Sequence, residues 1–218
     1  MTEPLPRFFR MRQSFPRPRI EHVSAAVASA LDGCIERELR NQTVAITVGS
    51  RGIAAIAEIT RACVDFLKQR GAQPFLVPAM GSHGGATDEG QADVLSRLGI
   101  TQATMGCPVR SSMEVAQVAT AAEGFPVYFD RTALSADHVL VVNRIKPHTR
   151  FAGDIESGLM KMMLIGLGKR QGAEVYHRVI FNYSFDQIVR SVAREVIEGC
   201  RILAGLAILE NAYEETAE

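Results

Sequence analysis

Three short polar clusters stand out as places where this chain could do chemistry: Ser50-Arg51, Gly81-Ser82-His83-Gly84-Gly85 and Lys146-Pro147-His148-Thr149. Imidazoles titrate near neutrality, so His83 and His148 can each take up and return a proton. One such histidine is ordinarily a solvated or helix-capping loop residue. Two at one cavity make an acid/base pair. The glycines around His83 let backbone approach a ligand closely. Pro147 keeps Lys146 extended and so aims the His148 loop. Arg51 carries the planar fork that grips a carboxylate or a phosphate.

Further on, Lys161 lies among Leu159, Met160, Met162, Met163 and Leu164. The ordinary role of such a lysine is to snorkel from a buried helix. Desolvated, it becomes a neutral and nucleophilic amine. His177, within Glu174-Val-Tyr-His-Arg178, reads by default as a surface helix residue. The methionines read as core, and Cys34, Cys63, Cys107 and Cys200 as small buried hydrophobes. Gly166-Leu-Gly168-Lys-Arg-Gln-Gly172 looks like a dinucleotide fingerprint but is one residue too long and follows a helical pattern. It also fails as a phosphate loop, because Arg170 follows the lysine where Ser or Thr is required.

The elements that must position these residues are legible as an alternation. Apolar positions Ile20, Val23, Val27, Leu31, Ile35 and Leu39 recur at helical spacing. Thr43–Val48 reads as a buried strand, Ile53–Arg70 as an amphipathic helix stopped by Gly71, and 73–77 as a second strand. Thr87 is placed to cap a helix that opens with Asp88 and Glu89 and ends near Gly99. Glu114–Ala119, Val127–Phe129, Val139–Val142 and 202–209 read as strands, and 155–167 and 185–198 as helices. This predicts a three-layer, Rossmann-like α/β fold, a mostly parallel sheet with helices on both faces. In such sheets ligands bind beyond the carboxyl ends of the strands, where all three clusters fall. Residues 1–19, with five arginines and four prolines, read as an extended arm before a domain covering 20–218.

Composition narrows the classes. The chain has 218 residues, 24 basic and 24 acidic side chains, 47% hydrophobic residues and 22% charged ones. Zero net charge gives no general attraction to nucleic acid or anionic lipid. No run reaches the ~18 apolar residues that suggest a membrane span. The N-terminus lacks the apolar core of a secretory signal. The cysteines form neither a zinc knuckle nor a disulfide framework. The expectation is a soluble, cytoplasmic protein with no nucleic-acid or membrane partner.

The ordered set Arg51, Gly81-Ser82-His83, Pro147-His148, Lys161 and His177 resembles the nickel-pincer lactate racemase family. That family places an Arg after the first strand, a Gly-Ser/Thr-His loop after the second, a Pro-His loop, a lysine in a Gly-containing stretch, and a histidine sixteen residues later. Residues 161 and 177 keep that interval. The resemblance spans roughly 20–210 and implies the N-terminal catalytic domain of a larger architecture, without the second domain that closes over the site. It also implies a nickel-pincer pyridinium mononucleotide tethered at Lys161, with nickel held by His177 and with Ser50 and Arg51 among the cofactor- or anion-binding residues. Square-planar geometry and these ligands suit Ni(II). His83 and His148 are then the acid/base groups on opposite faces of a 2-hydroxy acid that is racemised or epimerised by reversible hydride transfer. The partners implied are that small acid and the proteins that build the cofactor, which an ordinary expression host does not supply.

Two positions depart from characterised lactate racemases. Val48 stands where an acidic residue precedes the arginine by three, and the 148–161 interval is longer. These point to another branch and to a larger or more polar 2-hydroxy acid, such as a sugar acid. Two other classes stay open on the residues alone: an anion- or nucleotide-binding α/β enzyme without nickel, and a non-catalytic module that keeps the fold. Geometry separates them. On one straight helix Lys161 and His177 would stand about 24 Å apart at ~1.5 Å per residue. The nickel reading therefore requires Gly166, Gly168 and Gly172 to break the helix and bring His177 back.

Overall fold

Thr43–Val48 has five consecutive buried residues after Thr43, the mark of a strand covered on both faces in a parallel sheet. It is the inner strand around which the computed structural model is organised; the structure describes residues 8–50, 52–148 and 153–218. In chain order the elements are α1 (Val23–Asp32), β1 (Thr43–Val48), α2 (Ile56–Gln69), β2 (Gln73–Pro78), α3 (Asp88–Arg97) and α4 (Gln102–Met105). There follow β3 (Val115–Thr120), β4 (Pro126–Asp130), α5 (Arg131–Leu134) and β5 (His138–Arg144). The chain continues through α6 (Leu159–Lys161), a π turn at Met162–Gly166, α7 (Lys169–Val179), α8 (Phe185–Gly199) and β6 (Ile202–Ile208).

Four strands form a parallel sheet in the order β2-β1-β5-β6. Alternate residues of β1 feed two cores. Val44, Ile46 and Val48 pack with α1, α2 and Leu95 of α3 on one face. Ala45 packs with Phe75, Val77, the π turn, α7 and α8 on the other. The antiparallel hairpin β3–β4 shares that second layer. The α/β class and the sheet with helices on both faces therefore stand as predicted. Amphipathic spacing explains α8, whose Ile188, Val189, Val192, Ala193 and Val196 form one buried stripe. Ser184 and Gln187 close a reciprocal capping box at its start. Thr87 caps α3 as expected, accepting from the Gly90 amide at 3.0 Å.

Three expectations need correction. The periodic stretch 20–39 is helical only to Asp32, although Ile35 and Leu39 are still buried. Cys34 N and Ile35 N still bond to Leu31 O, and further on the chain bonds to the end of α2 instead, Leu39 N to Arg70 O at 2.8 Å and Asn41 N to Gly71 O at 3.0 Å. Of 155–167, only Leu159–Lys161 is α-helical before the π turn. Cys34 is exposed, while Cys63, Cys107 and Cys200 are buried.

The topology creates an opening. From β1 the chain steps through α2 to β2 on one side, whereas β5 lies on the other side of β1. This is the switch point at which open α/β sheets bind ligands. The β1–β5 register runs from Val44↔His138 to Ile46↔Leu140. Beyond it the buried Thr47 hydroxyl takes over, accepting from Val142 N at 2.8 Å and donating to Val142 O at 3.3 Å. One side chain thus bridges the strands where they part at their carboxyl ends. Thr47→Val keeps the shape and strands the buried Val142 amide, so it should cost about 1–3 kcal/mol. Urea unfolding measures this; an unchanged midpoint and slope would contradict the bridge.

Residues 8–22 carry no helix or strand and run to the C-terminal segment. Arg17 grips Glu215 through both carboxylate oxygens at 2.6 Å, and Ile20 N donates to Thr216 O at 2.8 Å. The Arg17 hydrogen bond, helped by Asn211, pulls the Glu215 carboxyl from its ordinary 4.5 down to about 2. A depressed carboxyl pKa stabilises the folded arrangement above the ordinary value and loses that contribution as pH falls toward the lowered one. Protection of the Ile20 amide from hydrogen exchange should therefore fall between pH 4.5 and about 2. The sheet amides should keep theirs through that range. Unchanged protection at Ile20 would show that the ion pair does not hold the arm.

Candidate active site

The site is assembled from three strand exits and one broken helix. At the first two exits, Ala79 N bonds to Val48 O at 2.8 Å and keeps β1 and β2 together as they leave the sheet. The chain then turns at Gly81, where φ is +62° and a Cβ would lie 2.9 Å from Ile165 Cγ2. A side chain there would suffer both strain and collision. His83 follows, its amide bonded to Met80 O at 3.2 Å. Ser50 Oγ hydrogen-bonds His83 Nδ1, which fixes the ring's orientation and couples its tautomer to the serine hydroxyl. The β1 exit therefore orients the histidine of the β2 exit.

The third exit carries Asn143, whose side-chain amide donates to Gly158 O at 2.9 Å. Gly158 O also accepts from Met162 N at 3.0 Å. Asn143 thereby seats the start of α6, and with it Lys161, over the end of β5. Next to it Arg144 is ion-paired with Glu210, and Glu210 also accepts from Ala54 N at 2.7 Å. The His148 amide donates to Glu156 Oε2 at 2.6 Å. Arg51 falls outside the described residues.

Lys161 and His177 are not on one helix. Leu167 N bonds to Met162 O at 2.8 Å, an i→i+5 bond that widens the turn. The glycines of the discarded nucleotide motif have a steric role here. A Cβ on Gly166 would sit 2.7 Å from Ala79 O, and one on Gly168 would sit 2.2 Å from Leu164 O. A Cβ on Gly172 would sit 2.7 Å from the same Leu164 O. Lys169 then opens α7 with φ at +52°, a conformation that costs a non-glycine residue roughly 1–3 kcal/mol. The chain has changed direction. The result is one cleft of about 430 Å³ lined by Ser50, His83, His148, Lys161 and His177.

Of the residues expected to act, all but Arg51 are thus placed at a single cleft. Asn143, Lys146 and Tyr176 line it too. Tyr176 is buried, which pushes its hydroxyl above the ordinary value, so it stays a neutral donor at physiological pH. Its ring is tilted against His177 with centroids 5.2 Å apart. Among the described lining residues none is Asp or Glu, while Lys146, Lys161 and three imidazoles are present beside Arg144, whose charge Glu210 already meets. The lining chemistry suits an anion. Among the described residues no group of three or more His, Cys, Asp or Glu is placed to hold a metal ion. An amine, at Lys161, and an imidazole, at His177, line the cleft, and its volume fits a small-molecule site. Sequence reasoning passed over Asn143 and Tyr176; the only available signal was a polar side chain at the end of an apolar strand, and a tyrosine beside His177.

The family model for the lactate racemase N-terminal domain matches residues 18–187. The structure of the lactate racemase apoprotein from Thermoanaerobacterium thermosaccharolyticum aligns with a TM-score of 0.66 at 16% identity, over 96% of this chain and 55% of that one. At that identity the likeness is one of fold. The chain spans about half the length of that relative. No curated protein sequence matches.

Proposed function

The chain belongs to the lactate racemase N-terminal domain family, and from that premise we propose that it racemises or epimerises a small 2-hydroxy acid with a nickel-pincer pyridinium mononucleotide. One observation carries the reading: Lys161 and His177, sixteen residues apart in sequence, line the same cleft as His83 and His148. Lys161 would hold the cofactor through its amine and His177 would supply the protein's imidazole to nickel. When bound, that group supplies a reversible hydride acceptor. A base is needed on each side of the substrate carbon, because racemisation must run from either enantiomer. His83 and His148 take these roles: one accepts the hydroxyl proton of one enantiomer and returns a proton when that enantiomer re-forms, and the other does the same for the mirror image.

Supporting residues follow from their contacts. Ser50 holds Nδ1 of His83 and so keeps that ring in one orientation. Lys146, exposed at the rim, and Arg51, by family pattern, would hold the substrate carboxylate or a cofactor phosphate. Val48 and the long 148–161 interval favour a larger or more polar acid than lactate, such as a sugar acid. Cofactor-loading proteins would be its partners and the cytoplasm its compartment. No helix among the described residues is long and apolar enough to cross a membrane.

The test is co-expression with the cofactor-building proteins, followed by intact and peptide mass and nickel analysis. The expected result is a mass increment on the peptide containing Lys161 together with stoichiometric nickel. Lys161→Ala should lose both, and His177→Ala should keep the increment with less nickel. In loaded protein His83→Asn and His148→Asn should each lower racemisation by about 10²–10⁴-fold while keeping the increment. An unmodified Lys161 with no bound nickel would overturn the proposal.

A further inference from the structure

Lys169 is a lysine with no exposed surface, paired at 2.9 Å with Asp130, which is equally inaccessible. Its Nζ also donates to Gln91 Oε1 at 3.1 Å and to Pro78 O. Gln91 is buried as well. Its Nε2 donates to Gly81 O at 2.8 Å and to His83 O at 3.2 Å. Only an NH2 group can serve two carbonyls at once, so the orientation of this amide is determined. Asp130 Oδ1 accepts from Ala133 N at 2.8 Å. One buried cation therefore ties together the end of β2, the loop that carries His83, the end of β4 and the first residue of α7, which carries His177.

Burying two charges is costly, and well-packed apolar side chains of similar volume often serve stability as well or better. The pair is better explained by what it specifies. Gly81, Gly84 and Gly85 of the His83 loop all adopt positive φ, and glycines leave backbone freedom that contacts must remove. Beside the bonds of His83 to Ser50 and Met80 and of Thr87 to Gly84 O, the Gln91 amide is the side chain that binds two of the loop's carbonyls from the buried side. Gln91 pins the two carbonyls that bracket Ser82. Lys169 fixes Gln91 and at the same time sets where α7 begins. We propose that Lys169 and Gln91 are positioning residues that hold His83 in register with Ser50 and with α7 across the cleft. In the catalytic sense this rests on the acid/base reading of His83; as a statement about the loop it does not.

The readout is the His83 imidazole itself, by nitrogen-15 NMR of the unloaded protein, with His22 and His138 as internal controls. In the wild type, Ser50 should hold His83 in one dominant tautomer. Gln91→Leu should leave the controls and the circular dichroism unchanged. It should also average the two His83 nitrogens toward a free imidazole and speed amide exchange in 81–86 at least tenfold. If Gln91→Leu does not fold, Gln91→Glu gives the same comparison. Its carboxylate still accepts from Lys169 but cannot donate to Gly81 O or His83 O at neutral pH. Lys169→Arg, which retains the charge, should preserve more of the single-tautomer signature than Lys169→Met paired with Asp130→Asn.

An unaltered His83 signature and unaltered loop exchange in a folded Gln91 variant would overturn the inference. The loaded enzyme separates this from the functional reading. A freed His83 with unchanged turnover would leave the positioning intact and remove His83 from the acid/base pair. Turnover lost with His83 unmoved would overturn the positioning role.

Discussion

Sixteen residues separate Lys161 from His177, and an uninterrupted helix would hold them about 24 Å apart. Everything else at the cleft depends on how that separation is undone inside a packed core. The chain does it with an i→i+5 turn and three glycines whose missing side chains allow backbone to touch backbone, at Ala79 O and Leu164 O. The turn is covered by apolar side chains, with Met162, Met163, Leu164 and Leu167 all buried. The reversal is therefore held by the same core that supports the second face of the sheet, and it cannot be relaxed without disturbing β2 and α8.

The sheet contributes the other half of the geometry. β1 and β5 diverge at a switch point, with Thr47 closing the hydrogen-bond account of Val142 where the ladder ends. Divergence leaves room between the strand exits, and each exit is fastened by a different polar contact. Ser50 reaches His83, Asn143 reaches Gly158, and Glu210 joins Arg144 to the Ala54 amide. A rigid sheet with individually fastened exits can place side chains from distant parts of the sequence without a long loop having to find its conformation alone.

How much of this could be read from the residues varies with the range of the cause. Thr43–Val48 was legible because a β-branched apolar run between polar flanks is a local signal. The cap at Thr87 was legible for the same reason. The 20–39 stretch misled because burial kept its helical period through Ile35 and Leu39 after the backbone had left the helix to bond with α2. The pairing of Lys161 with His177 was visible through a family pattern and an interval, and the glycines indicated that the helix had to break. The Lys169 network was not visible. Gln91 and Lys169 are 78 positions apart, and a lysine beside an arginine in a glycine-rich run carries the local signature of a solvated turn. Only the fold shows that three polar side chains from α3, β4 and α7 meet in one buried spot.

The central claim is that the break brings residues 161 and 177 to one cleft, and it can be tested without cofactor or substrate. Lys161→Cys and His177→Cys are combined with Cys34→Ser, which removes the exposed native thiol. Cys63, pushed up to about 12 by burial, and Cys200, pushed up to about 11, stay unreactive in the folded chain; Cys107 is buried too. The double variant is treated with a bifunctional thiol reagent too short to span the ~24 Å of a continuous helix. The account predicts a single intramolecular bridge, read as a mass increment of one linker with no free thiol at 161 or 177. Two thiols that each accept a monofunctional reagent but form no bridge would contradict it.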